Sequence, residues 1–466
     1  MAARTSTASD VLRSRGPLLA ALVLGSLPAV LAVLRLGRLH PDEVYQVLEP
    51  AFWKVHGYGV LAWEWKAGLR NWALPLAVAA VLRLGGWLGV QDPWALRALV
   101  GIPIAALHVA ALLAAYRFGS RATSQGGWAA LLALGLLPMA WAYGGRTLGE
   151  PLSAAALVLA LDALERPAPR GRVLLLGGVA LGLAVVARYG SGPAVLGALS
   201  WLAARRRWRS LGLAVAGGAA VALLLGALDW ASWGQPFHSF VAWARFNVFS
   251  DGAVRAFGAE PASFYRPLLL GIVPLWVWPA LGFALVRPAP GSGRLGLALW
   301  MALLGLLALL ATPHKEERFL YPVVVLLVLE AAPALARART LMAAPWSGAA
   351  AIAALGLTLV ASPTTIDPRG DEFRAMVRIA RSPDITGLLL VNEGLWGAGG
   401  YFYIGKRIPW LTADWPSDAS FRVAMGDARF NRAITFEGRA LDALARSGFQ
   451  VVGREGRETM LARPTR

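Results

Sequence analysis

The 466-residue chain contains no cysteine. That excludes disulfides, thiolate catalysis and cysteine-ligated metal sites. It does not exclude an oxidising compartment, because a chain of this size has no need of disulfide cross-links. Charge is also scarce. Asp, Glu, Lys and Arg make up 15% of the residues, against about 25% in an ordinary soluble domain. The five histidines include no pair at metal-ligand spacing, and His108 falls inside an apolar run, so neither a metal nor another cofactor is expected. No internal repeat of the kind that marks many transporters is visible.

What replaces charge is hydrophobicity. Apolar residues account for 57% of the chain and the mean hydropathy is +0.54, the composition of an integral membrane protein. The net charge of +18 does not point to nucleic acid. The basic residues stand in short clusters between apolar runs, which is the positive-inside pattern. Residues 17–34 carry no charge and are long enough to cross a bilayer. Arg4, Arg13 and Arg15 precede them, as in a secretory signal. The run is longer than a usual signal core and lacks a small-x-small cleavage site, so it reads as an uncleaved first helix with a cytoplasmic N-terminus.

Further apolar stretches lie at about 98–116, 126–144, 149–164, 173–187, 191–204, 211–228, 268–286, 295–311, 319–336 and 345–361. Five basic clusters punctuate them: Arg117/Arg121, Arg166/Arg170/Arg172, Arg205/Arg206/Arg207/Arg209, Arg287/Arg294 and Arg337/Arg339. All five are cytoplasmic only if 72–90, which carries Arg83 and follows Trp63, Trp65 and Trp72, does not cross. That segment is expected to be an interfacial amphipathic helix. About eleven spans result. The loops at 35–97, 144–151, 188–190, 229–267 and 312–318 then fall on the other, extracytoplasmic side. Beyond residue 362 the composition turns charged and mixed. A helix at 371–381 and strands at 387–391, 401–404 and 449–452 are expected there. The chain thus divides into a membrane domain, 1–362, with a first external loop at 35–97, and a small extracytoplasmic α/β domain, 363–466.

Two polar motifs on the extracytoplasmic side carry chemistry. His40-Pro41-Asp42-Glu43 reads first as a helix start, with proline at an early position and acids at the positive end of the dipole. It also reads as a reactive loop. Asp42, Tyr45 or Gln46, and Glu49 share one face at helical spacing, and a carboxylate there can accept a proton from a sugar hydroxyl. The second motif is 312–322, Thr-Pro-His-Lys-Glu-Glu-Arg-Phe-Leu-Tyr-Pro. It is either a self-compensated turn or a phosphate clamp, with Arg318 binding bidentately and Lys315 as a point charge. Arg146 and Arg188 read as snorkelling arginines at turns. Asp229, Asn247, Phe257, Phe264 and Tyr265 are candidates for a substrate groove.

The two motifs together resemble glycosyltransferase family 22, the lipid-phosphate-mannose-dependent mannosyltransferases of N-glycan and GPI-anchor assembly. The first motif continues through Gly57-Tyr58-Gly59, Trp63-Glu64-Trp65 and Gly68-Leu69-Arg70-Asn71 in the manner of that family. The run from His314 through Arg318-Phe319 to Tyr321-Pro322 matches its second hallmark, and Arg146-Thr147-Leu148 resembles a further element. The similarity covers most of residues 36–340.

The resemblance implies a GT-C fold in a polytopic α-helical membrane protein. It implies inverting transfer of mannose from a polyprenyl-phosphate-sugar donor to a glycan or glycolipid acceptor. Asp42 would be the base and Glu43 its partner. Lys315, Arg318, Arg146 and Arg188 would hold the donor phosphate. His40, Tyr45, Gln46, Trp63, Glu64, Arg70, Tyr265, His314 and Glu316 would contact substrate. The Ala-, Leu-, Arg- and Gly-rich composition suggests a bacterial inner membrane, with the active site on the extracytoplasmic side. The partners implied are the lipid-linked donor, the acceptor and the bilayer, and no nucleic acid. The alternatives are a GT-C transferase that uses another lipid-linked sugar or modifies protein or lipid A, and a membrane transporter.

Overall fold

A computed structural model describes residues 8–288, 295–342, 369–394, 397–417 and 419–464. The expected span at 345–361, with Arg4 and Arg294, lies outside the described residues. The chain forms two compact units. One comprises 1–29, 67–73 and 103–364; the other comprises 30–66, 74–102 and 365–466.

Apolar sequence becomes helix almost throughout. Four helices have the length and apolarity of a full membrane crossing: Arg15–Arg35, Pro93–Ser120, Trp208–Trp233 and Glu317–Ala338. A bent pair makes a possible fifth, and shorter apolar helices include Gly171–Ala187 and Leu297–Ala311. The chain is an integral membrane protein. Two of the expected single spans are broken. The stretch 126–144 divides into Ser124–Gly135 and Pro138–Tyr143. The stretch 268–286 divides near Pro274 into two helices inclined at 99°. In both cases the residue before proline, Leu137 or Val273, is extended, because the proline ring disfavours helical geometry in the residue it follows.

The first unit is built around the helix Tyr321–Met342. Val323 to Leu329, Ala331 and Ala332 are all buried, as expected of a helix that is apolar on every face. Glycines bring other helices into backbone contact. A Cβ on Gly178 would lie 2.1 Å from the Ala214 carbonyl oxygen, and one on Gly217 would lie 2.2 Å from that of Leu175. Gly171–Ala187 and Trp208–Trp233 therefore pack through small residues, as helices in lipid commonly do. Ala73–Trp87 forms at the segment read as interfacial, and Leu84, Trp87 and Leu88 stand exposed beside Arg83.

The second unit contains a five-stranded sheet. Its strands are β1 (Leu388–Val391), β2 (Trp410–Ala413), β3 (Arg432–Thr435), β4 (Gln450–Glu455) and β5 (Glu458–Ala462), in the order β2-β1-β3-β5-β4. β1 pairs in parallel with β2 and β3, and β5 runs antiparallel to β3 and β4. Leu388, Leu390 and Ile434 pack with Met376 and Ile379 of the helix Gly370–Ala380. Leu389, Val391 and Ala433 pack with Phe421 and Leu444 on the other side. Helices on both faces explain why β1 is apolar throughout and why β1 and β3 are buried at every position rather than alternating. The small C-terminal α/β fold expected from the sequence is present. Residues 401–404, expected as a strand, instead lie in the helix Gly400–Ile404. Gly400 and Gly405, at φ 64° and 66°, bracket that turn in a left-handed conformation that side chains rarely adopt.

Beside this sheet three carboxylates, Glu372, Glu393 and Glu458, are buried together. Arg369 reaches both Glu372, at 2.9 Å, and Glu393, at 3.2 Å; Arg457 contacts Glu458 at 3.1 Å. Burial pushes Glu372 up to about 7 and Glu393 and Glu458 up to about 8, with mutual repulsion adding to the last two. The folded form therefore holds protons that the unfolded chain releases at ordinary carboxylate pKa values. Stability from this cluster is full at acidic pH and is lost as pH rises towards 8. Glu393→Gln is expected to raise the thermal midpoint at pH 8 and to flatten its pH dependence between 5 and 8. Melting curves in detergent at three pH values check this.

Candidate active site

The candidate residues divide between the two units. In the second unit, the acidic motif opens a π-helical turn, Glu43–Leu48, that runs into the helix Glu49–His56. The Glu49 amide donates to the Val44 carbonyl, five residues back. This wider turn changes the α-helical spacing expected to put Asp42, Tyr45 or Gln46, and Glu49 on one face. Tyr45 and Glu49 both reach residues 398–402.

Glu43 is buried, and its Oε1 accepts from the backbone N–H groups of Leu39 at 2.6 Å and His40 at 3.4 Å. It ties the loop to itself. Gln46 donates to Glu64 Oε1 at 3.1 Å. Tyr45 is buried, and Trp65 donates to its carbonyl at 3.0 Å. Trp63 is exposed. Asp42 is different. Its side chain keeps 16% of its surface exposed, and His40 Nδ1 stands 3.1 Å from its Oδ1. Glu43, Glu49 and Glu64, the other carboxylates of this segment, are buried. Of these four carboxylates, Asp42 is the one that is not buried.

In the first unit, an ion-pair cluster forms around Glu150, a residue given no role from the sequence alone. It begins the helix Gly149–Leu164, is 2% exposed, and receives Arg188 and Arg318, the latter at 3.3 Å. Arg318 also donates to both oxygens of Glu316, at 2.6 and 3.2 Å. His314 Nε2 lies 3.1 Å from Glu316 Oε1. The Arg188 guanidinium stacks 4.3 Å above the Phe319 ring. Of the four expected phosphate-holding residues, Arg188 and Arg318 are thus brought to one carboxylate. Lys315 donates to the Thr312 carbonyl and lies 6.0 Å from the Tyr265 ring centroid. Desolvation lowers its pKa, and Glu260 opposes this. Arg146 is buried, and Arg70 is half-buried.

Asp229, a candidate for the groove, is instead buried and structural. It accepts from the backbone N–H and hydroxyl of Ser239 at 2.9 and 2.6 Å, and Ser239 joins Tyr189 and Asn71 in one chain of hydrogen bonds. Asn247 does line a cavity, of about 170 Å³, with Ser250, Asp251, Pro313 and His314. Among the described residues, no group of three His, Asp or Glu side chains is placed to hold a metal ion.

Residues 19–365 match the model of the Alg9-like mannosyltransferase family. The chain is 29% identical over 309 residues to GPI mannosyltransferase 3 of Yarrowia lipolytica, covering 63% of this chain and 58% of that one. It is 30% identical over 360 residues to GPI mannosyltransferase 3 of Trypanosoma brucei brucei, covering 64% and 61%. The chain spans less than two thirds of the length of either relative. Among solved structures, ArnT from Cupriavidus metallidurans bound to undecaprenyl phosphate aligns with a TM-score of 0.62 at 15% identity, covering 98% of both chains. That likeness is one of fold, and it is the GT-C fold that the two motifs imply. With the family model spanning both motifs and most of the helices, this chain belongs to the Alg9-like mannosyltransferase family.

Proposed function

We propose that this protein is a membrane glycosyltransferase that moves mannose from a polyprenyl-phosphate donor to a hydroxyl of a glycan or glycolipid, with inversion. Asp42 is the base. The observation that carries this reading is the burial pattern of the acidic loop. Of the four carboxylates Asp42, Glu43, Glu49 and Glu64, three are buried and Asp42 keeps an exposed face, with an imidazole against it. A base is the one proton-transfer group the reaction requires, because a lipid phosphate already departs readily as an anion. The transition state carries oxocarbenium character, as in glycoside chemistry generally.

Arg318 and Arg188 are assigned to the departing phosphate. An entering phosphate would exchange with carboxylate oxygens for guanidinium N–H groups, a planar match that arginine makes well. ArnT, which shares the fold, is seen with undecaprenyl phosphate bound, a lipid phosphate of the class proposed. The basic clusters favour an extracytoplasmic side for both motifs, with the N-terminus in the cytoplasm, and the Ala-, Leu-, Arg- and Gly-rich composition favours a bacterial inner membrane.

The test is transfer of labelled mannose from polyprenyl-phosphate-mannose to endogenous glycolipid, in membranes with and without this chain. Transfer that depends on the chain is the expected result. Failure with mannose but success with another lipid-linked sugar would change the donor. Failure with every lipid-linked sugar would end the enzymatic reading.

A further inference from the structure

Glu49 stands seven residues after Asp42 and has no part in the reaction as proposed. It is fully buried. Its Oε1 accepts from the Phe402 amide at 2.5 Å, and its Oε2 accepts from the Val60 amide at 2.8 Å. The partners that hold it are backbone amides, with no cation among those described. A carboxylate without a counter-charge is expensive to bury, and it is retained here at the join between the π-helical turn and the following helix. The C-terminal fold is shaped to receive it. Gly400 sits at φ 64°, and a Cβ there would come within 2.4 Å of the Glu49 carboxyl carbon. Tyr45 adds a second tie, its hydroxyl donating to the Ala398 carbonyl at 3.0 Å.

We propose that Glu49 is a positioning residue that anchors the acidic loop to the C-terminal α/β fold, which makes that fold a working part of the transfer site. This rests on the reading of Asp42 as base. The loop is short, and the hydrogen bonds Glu43 takes from the Leu39 and His40 amides are internal to it, so they hold its shape and do not set its direction against the C-terminal fold. Tyr45, within the turn, and Glu49, just past its end, hold its buried side against residues 398–402. Asp42 is then presented from a frame whose other wall is the C-terminal fold. The carboxylate does not touch substrate. It acts through the place it gives Asp42.

The chain lacks cysteine, so a pair of introduced cysteines can be spin-labelled without background. Lys54→Cys, in the helix after the loop, and Arg422→Cys, in the helix Ala419–Gly426, report the distance across the anchor. Glu49→Ala and, separately, Gly400→Ala are expected to broaden that distance distribution. Both should lower kcat by roughly a hundredfold, the scale of an ångström's misplacement of a catalytic group, and leave KM for donor and acceptor unchanged. Glu49→Gln, which keeps one acceptor oxygen, should recover part of the rate. Adding Gly400→Ala to Glu49→Ala should cost less than Gly400→Ala does alone, because the collision is gone and only the strain of a side chain at φ 64° remains. An unchanged kcat in Glu49→Ala overturns the inference, and so does a lost rate with the distance still narrow. The distance measurement needs no turnover. If the wild type transfers nothing, the activity reading fails, while a narrow distance in Glu49→Ala would still sink the anchor.

Discussion

Asp42→Asn is expected to reduce mannosyl transfer by roughly a thousandfold at equal protein level, within the range that a general base contributes. The substitution is nearly isosteric. An amide oxygen can still face His40, so the loop keeps its shape, and what disappears is the ability to take a proton. The structure separates this outcome from its neighbours. Glu43 spends its carboxylate on the Leu39 and His40 amides, so Glu43→Gln should act through loop order, with a smaller loss and a lower melting temperature. If Asp42→Asn keeps its rate and Glu43→Gln loses it, the base is Glu43 and the exposure argument is wrong. If both keep it, the acidic loop is not the reactive element.

The two motifs were legible because each is a short, contiguous run whose residue types have few other uses in an apolar chain. Apolar runs likewise made most of the helices legible, and composition marked the C-terminal fold. What was not legible depends on contacts between residues distant in sequence. Glu150 looks like an ordinary first-turn acid until Arg188 and Arg318 arrive from 38 and 168 residues away. Glu49 was assigned to the face of Asp42 because a π-helical turn leaves no periodic signal, and of its partner amides, Val60, Tyr401 and Phe402, the last two lie in a segment that reads as a strand. Tyr401, Phe402, Tyr403 and Ile404 are strand formers by propensity. Flanking glycines and the buried carboxylate of Glu49 override that preference. The breaks at Pro138 and Pro274 were visible as prolines. Hydropathy averages over a window and so joined the two halves.

Arg318→Ala should slow transfer by a hundredfold or more, about 3 kcal/mol in the barrier by analogy with the loss of a single oxyanion donor. The fold should survive, because Glu150 retains Arg188 and Glu316 retains His314, which leaves neither carboxylate stranded. This makes the prediction sharper than one for Glu150, whose removal would leave two buried guanidinium groups facing each other. Arg318→Lys should recover only part of the rate, since a point charge replaces a planar fork. A purely structural role for Arg318 predicts something else: Glu316→Gln, which weakens the same ion pair, would cost as much as Arg318→Ala, and both would lower the melting temperature. Inhibition by free polyprenyl phosphate separates the two. If Arg318 holds the departing phosphate, that product should bind more weakly to Arg318→Ala and about equally to Glu316→Gln. Product binding that is unchanged in Arg318→Ala would move the phosphate away from Arg318 and leave Arg188, with its guanidinium over Phe319, as the next arginine to change.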